Sequence, residues 1–224
     1  MLELQFYMTD EQLIDIVAKE FRDQTLGNTQ QYLAIHNPLY KDGKLVVSRI
    51  DRDSENEVFL IYLPVEEEKF YFTAIIEKDT YLFKGLSTEP WYRVYLTATS
   101  ETKSFEELKA LTNLIPTDGW SKGDFRSSGK SKHTFSRISF LPNPEPDTFE
   151  NKLNHLLSFL ETDKVGVKKL IDNASACIWV AANIHNGNGM IHGHFINSDS
   201  IKRMGNLNLS IDFDLYVSGR QFPD

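Results

Sequence analysis

The chain has 224 residues, of which 41% are hydrophobic and 25% charged, and its formal net charge is −8. That length fits one large domain or two small ones, and no apolar run reaches the roughly 18 residues that a membrane span needs. A single cysteine, Cys177, excludes an internal disulfide and any cysteine-rich metal knuckle.

The charge is unevenly placed. Residues 1–86 hold 9 Lys/Arg against 16 Asp/Glu, whereas residues 87–224 hold 15 against 16. An acidic first part speaks against nucleic-acid binding, whose affinity comes mostly from phosphate neutralisation. The opening Met1-Leu2-Glu3-Leu4 has neither a basic n-region nor a small-residue cleavage site, so the cytoplasm is the expected compartment.

In chain order, Thr9-Asp10-Glu11-Gln12 reads as a capping box, and Leu13, Ile14, Val17 and Phe21 follow at helical spacing. Strands are expected over 45–50, 58–63 and 70–76, with a short fourth at 81–83. Glu66, Glu67 and Glu68 form a solvated hairpin tip between the second and third. Residues 85–90 (Gly, Ser, Thr, Glu and Pro among them) have linker composition. The expected division is therefore 1–86, a small helix-plus-meander α+β unit, and 87–224, a second α+β domain.

In the second part, residues 91–99 alternate, with Tyr92, Val94, Leu96 and Ala98 on one face. Ser104 and Glu107 make a second capping box, and a helix follows. Pro116, Asp118-Gly119 and Gly123-Asp124 then punctuate a turn-rich stretch around Trp120. Residues 134–141 read as a strand. Asp147 with Glu150 caps a long helix whose Phe149, Leu153, Leu156, Leu157 and Leu160 form one apolar stripe, broken or bent at Gly166. Strands at 178–185 and 190–196 are joined by Asn186-Gly187-Asn188-Gly189, a hairpin turn. A short helix at 198–204 precedes a strictly alternating last strand, with Leu207 to Val217 inward and Asn208 to Tyr216 outward. The order β-α-β-α-β-β-α-β predicts an antiparallel sheet with helices packed on one face.

The pieces Val94-Tyr95-Leu96, Phe105-Glu106-Glu107-Leu108, Leu114-Ile115-Pro116-Thr117, Trp120-Ser121-Lys122-Gly123-Asp124 and Asp212-Phe213-Asp214-Leu215-Tyr216-Val217 occur in that order. With this pattern the chain resembles the bacterial domain-of-unknown-function family DUF4279 over about 91–217. The resemblance implies an accessory or immunity-type protein that acts by binding, and it supplies no catalytic residues.

Two constellations can carry chemistry. The first is a basic loop with Trp120, Lys122, Asp124, Arg126 and Lys130 as candidate binding residues, suited to an acidic protein partner. Gly129-Lys130-Ser131 mimics the end of a phosphate loop, but a strand rather than a helix follows it, so the amide cradle and dipole are missing. The second is a histidine patch. Period two places His185, His192 and His194 on the wet side of the hairpin, where with Asp212 and Asp214 they could hold a divalent metal such as zinc and support a hydrolase-like reaction. No nucleophile elbow, His-Glu-x-x-His or dinucleotide fingerprint is present. Cys177 reads as an inert core thiol. The leading expectation is a non-catalytic binding protein without a cofactor, acting on another protein; the metal-dependent enzyme is the alternative.

Overall fold

The computed structural model describes residues 8–53, 57–187, 191 and 193–223. It is an α+β protein built on antiparallel sheet, and its chain divides into two compact units. The first comprises Met1–Trp91, Asn183–Ile191 and Tyr216–Asp224; the second comprises Tyr92–Ala182 and His192–Leu215. No described helix is long and apolar enough to cross a membrane.

The first unit begins with α1 (Asp10–Asp23), where Thr9 and Gln12 form the expected reciprocal cap. Leu13, Val17 and Phe21, spaced four apart, turn into the core. A second helix, α2 (Gly27–Ile35), has no counterpart in the sequence reading, because Leu26 at its N-cap offers no side-chain acceptor. Glu20 of α1 replaces it: its buried carboxylate accepts from the Leu26 amide at 3.0 Å and from the Thr25 hydroxyl. Burial opposes that charge, but the hydrogen bonds from Thr25 and Leu26 hold the carboxyl below its usual pKa.

Strands β1 (Tyr40–Lys41) and β2 (Lys44–Leu45) close around Asp42 and Gly43, both at positive φ. β3 (Arg49–Asp51), β4 (Val58–Pro64), β5 (Phe70–Glu77) and β6 (Phe83–Ser100) pair in succession as an antiparallel meander. The strand expected at 45–50 is thus two pieces, and residues 85–90 are not a linker. They pair with β5 from Ile75↔Gly85 to Phe70↔Pro90. Gly85 serves close packing there, since a Cβ would meet Asn28 Nδ2 at 2.7 Å. Glu68 is only partly solvated. It accepts from Ser218 Oγ at 3.1 Å and lies 4.0 Å from His36.

In the second unit the chain continues through β6 to α3 (Phe105–Lys109), β7 (Asp118–Trp120), β8 (Ser136–Phe140), α4 (Phe149–Glu161), α5 (Lys164–Asn173), β9 (Ser175–His185), α6 (Ser198–Asn206) and β10 (Ser210–Ser218). β6 lies between β8 and β9, with β7 beyond β8 and β10 beyond β9. One sheet face is apolar and sealed: Val94, Leu96, Ala98, Ile138, Phe140, Ile178, Val180 and Ala182 are buried, as period two requires. The stripe of α4 packs there, with Tyr92 on Phe149 and Phe140 on Phe159.

Several local expectations are corrected. Thr148, not Asp147, caps α4; Asp147 instead accepts from Asn143 and Asn151. The helix breaks at Thr162-Asp163, and Gly166 sits inside α5, where a Cβ would meet Asp163 Oδ2 at 2.0 Å. Among the described residues the second hairpin strand is not formed: residues 193–197 carry no strand, and Ile191 and Phe195 are exposed. Residues 188–190 and 192 of that hairpin lie outside the described residues. In β10 the alternation fades after Phe213, leaving Leu215, Tyr216 and Val217 all exposed.

Candidate functional site

The face of the second unit's sheet opposite its core holds a cavity of about 480 Å³. Its floor is the other half of the strand alternation: Tyr95, Thr97 and Thr99 from β6, Arg137 from β8, Cys177 and Trp179 from β9, and Asp214 from β10. Trp120 reaches it from β7, whose register places Trp120 opposite Arg137, which in turn lies opposite Thr99. Arg126 and His133 complete the wall.

The basic loop folds back on itself as a hairpin. Gly123 donates to the His133 carbonyl, His133 donates back to Asp124, and Phe125 bridges Lys132. Asp124 is spent on this turn, accepting from the Ser121 amide at 2.7 Å. The hairpin thereby carries Arg126 and His133 into the cavity wall while Lys122, Asp124 and Lys130 are exposed and do not line it.

Trp120 is half-buried, neither a core plug nor a bare contact. Its Nε1–H donates to the Phe135 carbonyl at 3.1 Å, and its ring stacks on His133 at 4.2 Å and 21°. Arg137 lies with its guanidinium carbon 4.9 Å from the Trp120 ring centroid and 5.7 Å from that of Tyr95. Its Nη2 donates to Thr97 Oγ1 at 3.3 Å and Ser139 Oγ at 2.9 Å. Those two hydroxyls also bond each other at 2.9 Å, so the support beneath the arginine is satisfied without it. Nε is buried without a partner, and Nη1 makes no hydrogen bond among the described residues. Trp179 is half-buried and has no ring or hydrogen-bond partner among the described residues.

Cys177 is on this face, not in the core; its thiol donates to the carbonyls of Ile178 at 3.3 Å and Ser210 at 3.6 Å. No imidazole is bonded to it among the described residues. Gly119 fixes the approach of β7, because a Cβ there would lie 2.3 Å from the Phe105 ring and 2.6 Å from the Arg137 carbonyl.

The histidines have separate settings. His185 belongs to the first unit, where its Nδ1 accepts from the Gly187 amide at 3.2 Å and its Nε2 lies 3.0 Å from His36 Nε2 and 3.2 Å from the Arg220 carbonyl. His194 belongs to the second, packed among Tyr92, Phe149 and Phe213 with its Nε2 buried and without a hydrogen-bond partner among the described residues. Burial lowers the pKa of both. His192 lies outside the described residues, and among those described no group of three or more His, Cys, Asp or Glu could hold a metal ion. Asp214 lines the cavity; Asp212 is turned to its own backbone, accepting from the Phe213 amide at 2.9 Å.

An antiparallel α+β unit with a sealed helical face and an open, aromatic and cationic sheet face is the class this geometry defines. The family model described as Domain of unknown function (DUF4279) matches residues 89–218, more than half of the sequence, and the chain belongs to that family. All twelve residues lining the cavity fall within the matched segment. No curated protein and no solved structure matches the chain.

Proposed function

We propose that this chain is a non-catalytic, cytoplasmic bacterial protein of accessory or immunity type, which binds another protein through the open sheet face of its second unit. The observation that carries this reading is the residue set of that face. Trp120, Trp179, Tyr95, Arg126 and Arg137 converge on one concave surface, and Trp, Tyr and Arg are the side chains that dominate binding energy at protein interfaces. Arg137 is held in place by Thr97 and Ser139 before any partner arrives, which lowers the ordering cost of association. The only cysteine is not joined to a base among the described residues, and the rest of the lining lacks a nucleophile–base pair.

Photo-crosslinking tests this. A benzophenone amino acid is placed at Trp179, and separately at Lys168 on exposed α5, in the protein's own cells. A protein adduct from position 179 and none from 168 is expected. Adducts of equal yield from both positions, or none from 179, would remove the sheet face as the interface.

A further inference from the structure

The cavity contains one cation with an open valence, one aromatic ring with no partner, and a charge balance that limits what can enter. Arg137 commits Nη2 to Thr97 and Ser139 and keeps Nη1 for an outside acceptor. Trp120 is occupied by His133 and Arg137, whereas Trp179 has neither a stacking partner nor an acceptor for its Nε1–H among the described residues. Arg126 and Arg137 against Asp214 leave one positive charge on the arginines and aspartate of the lining. A phosphate dianion needs more than that, and no helix N-terminus lines the cavity to cradle one. A carboxylate matches in charge, accepts from a guanidinium Nη, and gains a charge-assisted bond in a partly desolvated site.

Resting on the binding role proposed above, we infer that the group recognised in this cavity is a carboxylate carried beside an aromatic ring, the carboxylate on Arg137 Nη1 with Arg126 as second cation and the ring against Trp179. Thr97 and Ser139 are positioning residues, fixing Nη2 so that the guanidinium stays beside the Trp120 ring and Nη1 is left for the carboxylate. A size of about 480 Å³ fits one to three residues of a partner chain.

The test uses three small probes on the full chain: N-acetylphenylalanine, with a terminal carboxylate; N-acetylglutamyl-phenylalaninamide, with a side-chain carboxylate; and N-acetylphenylalaninamide, with none. Binding is read from the indole N–H resonance of Trp179 in a ¹H–¹⁵N spectrum. At least one acid should bind about tenfold or more tightly than the amide, the ratio that one charge-assisted hydrogen bond supplies. The acid that binds identifies the source as a chain terminus or an acidic side chain, and binding of both supports the shared chemistry. Arg137→Gln should abolish the discrimination while the protein stays folded, since Thr97 and Ser139 still bond each other. Arg126→Gln, on the exposed hairpin, should weaken the acids about threefold and provides the comparison if Arg137→Gln does not fold. Equal binding of acid and amide, no binding of either acid, or tighter binding of inorganic phosphate would overturn the inference. An adduct at position 179 together with equal binding of acid and amide would leave the binding role standing and remove only the carboxylate.

Discussion

Trp120 decides how the turn-rich stretch around it is understood. A ring sealing the core would cost about 3–5 kcal/mol on truncation. The observed ring is half-buried and contributes one Nε1–H bond to Phe135, worth about 1 kcal/mol, and a stack on His133 worth about 1 kcal/mol more. Trp120→Ala should therefore destabilise by about 2 kcal/mol in urea denaturation; a loss near 4 kcal/mol would show that the ring acts as a core plug after all. The imidazoles give a second outcome at this scale. Burial lowers the pKa of His36, aided by Arg220 and opposed by Glu68; it lowers that of His185, aided by His36. His194 is lowered by burial too, against Glu150. Tyr32 also packs on His185. A histidine whose folded pKa lies below its unfolded 6.5 stays neutral in the native protein while the unfolded chain takes up protons. Stability is then at its full value above about pH 6.5 and falls as pH drops through and below it. Thermal melts from about pH 7.5 to about pH 5 should show this decline, and it should be shallower in His36→Gln/His185→Gln. An unchanged slope would remove the pair as its source.

At the scale of elements, two residues act through contacts that local sequence does not contain. Glu20 terminates α2 from another helix, so Glu20→Ala leaves the Leu26 amide and Thr25 hydroxyl without their acceptor and should cost about 2 kcal/mol, read as a lower denaturation midpoint. Gly119 lets β7 lie against α3, so Gly119→Ala must push Phe105 or the Arg137 backbone aside, with a loss of about 1–3 kcal/mol and altered emission from Trp120. The same two residues mark where sequence reading works. α1 and α3 were legible because their capping boxes lie within one segment, and α4 because its apolar stripe does, although its cap is Thr148 rather than Asp147. α2 was not, since its acceptor is six residues upstream of Leu26 and its residues have no stripe. The sealed face of β6 and β9 followed from period two, and the open face was its complement. What selects Arg137, Tyr95 and Trp179 as a site is cross-strand register, and register is set by partners that one strand's sequence does not contain. Arg126 and Trp120, singled out by charge and turn chemistry, line the cavity; Lys122 and Lys130 share that signal but do not line it. The second hairpin strand expected at 190–196 was read from alternation and the turn chemistry of 186–189, and alternation does not distinguish a strand from the extended coil seen at 193–197.

For the whole molecule, the chain does not divide at one point. The first unit takes Met1–Trp91 and two later pieces, Asn183–Ile191 and Tyr216–Asp224. Those pieces are tied into it by specific contacts: His185 packs on His36 and Phe70, Phe222 on Tyr32, and Ser218 donates to Glu68. Gly219 comes close enough that a Cβ would lie 2.9 Å from His185 and 3.1 Å from His36, and its φ of +89° excludes most other residues. A chain beginning at residue 87 keeps every lining residue of the cavity but loses α1, α2 and strands β3 to β5, against which these pieces pack. It also strips β5 from residues 87–90 of β6, leaving their backbone groups on a bare edge. The 87–224 segment should therefore retain the helices of the second unit by circular dichroism while melting well below the full chain. Trypsin should cut it at Arg220 faster than it cuts the full chain, where the amide of this exposed arginine is bonded to His36. A truncated segment that melts with the full chain and resists cleavage at Arg220 would show that the terminal pieces hold without the first unit, and that the open face can be studied on its own.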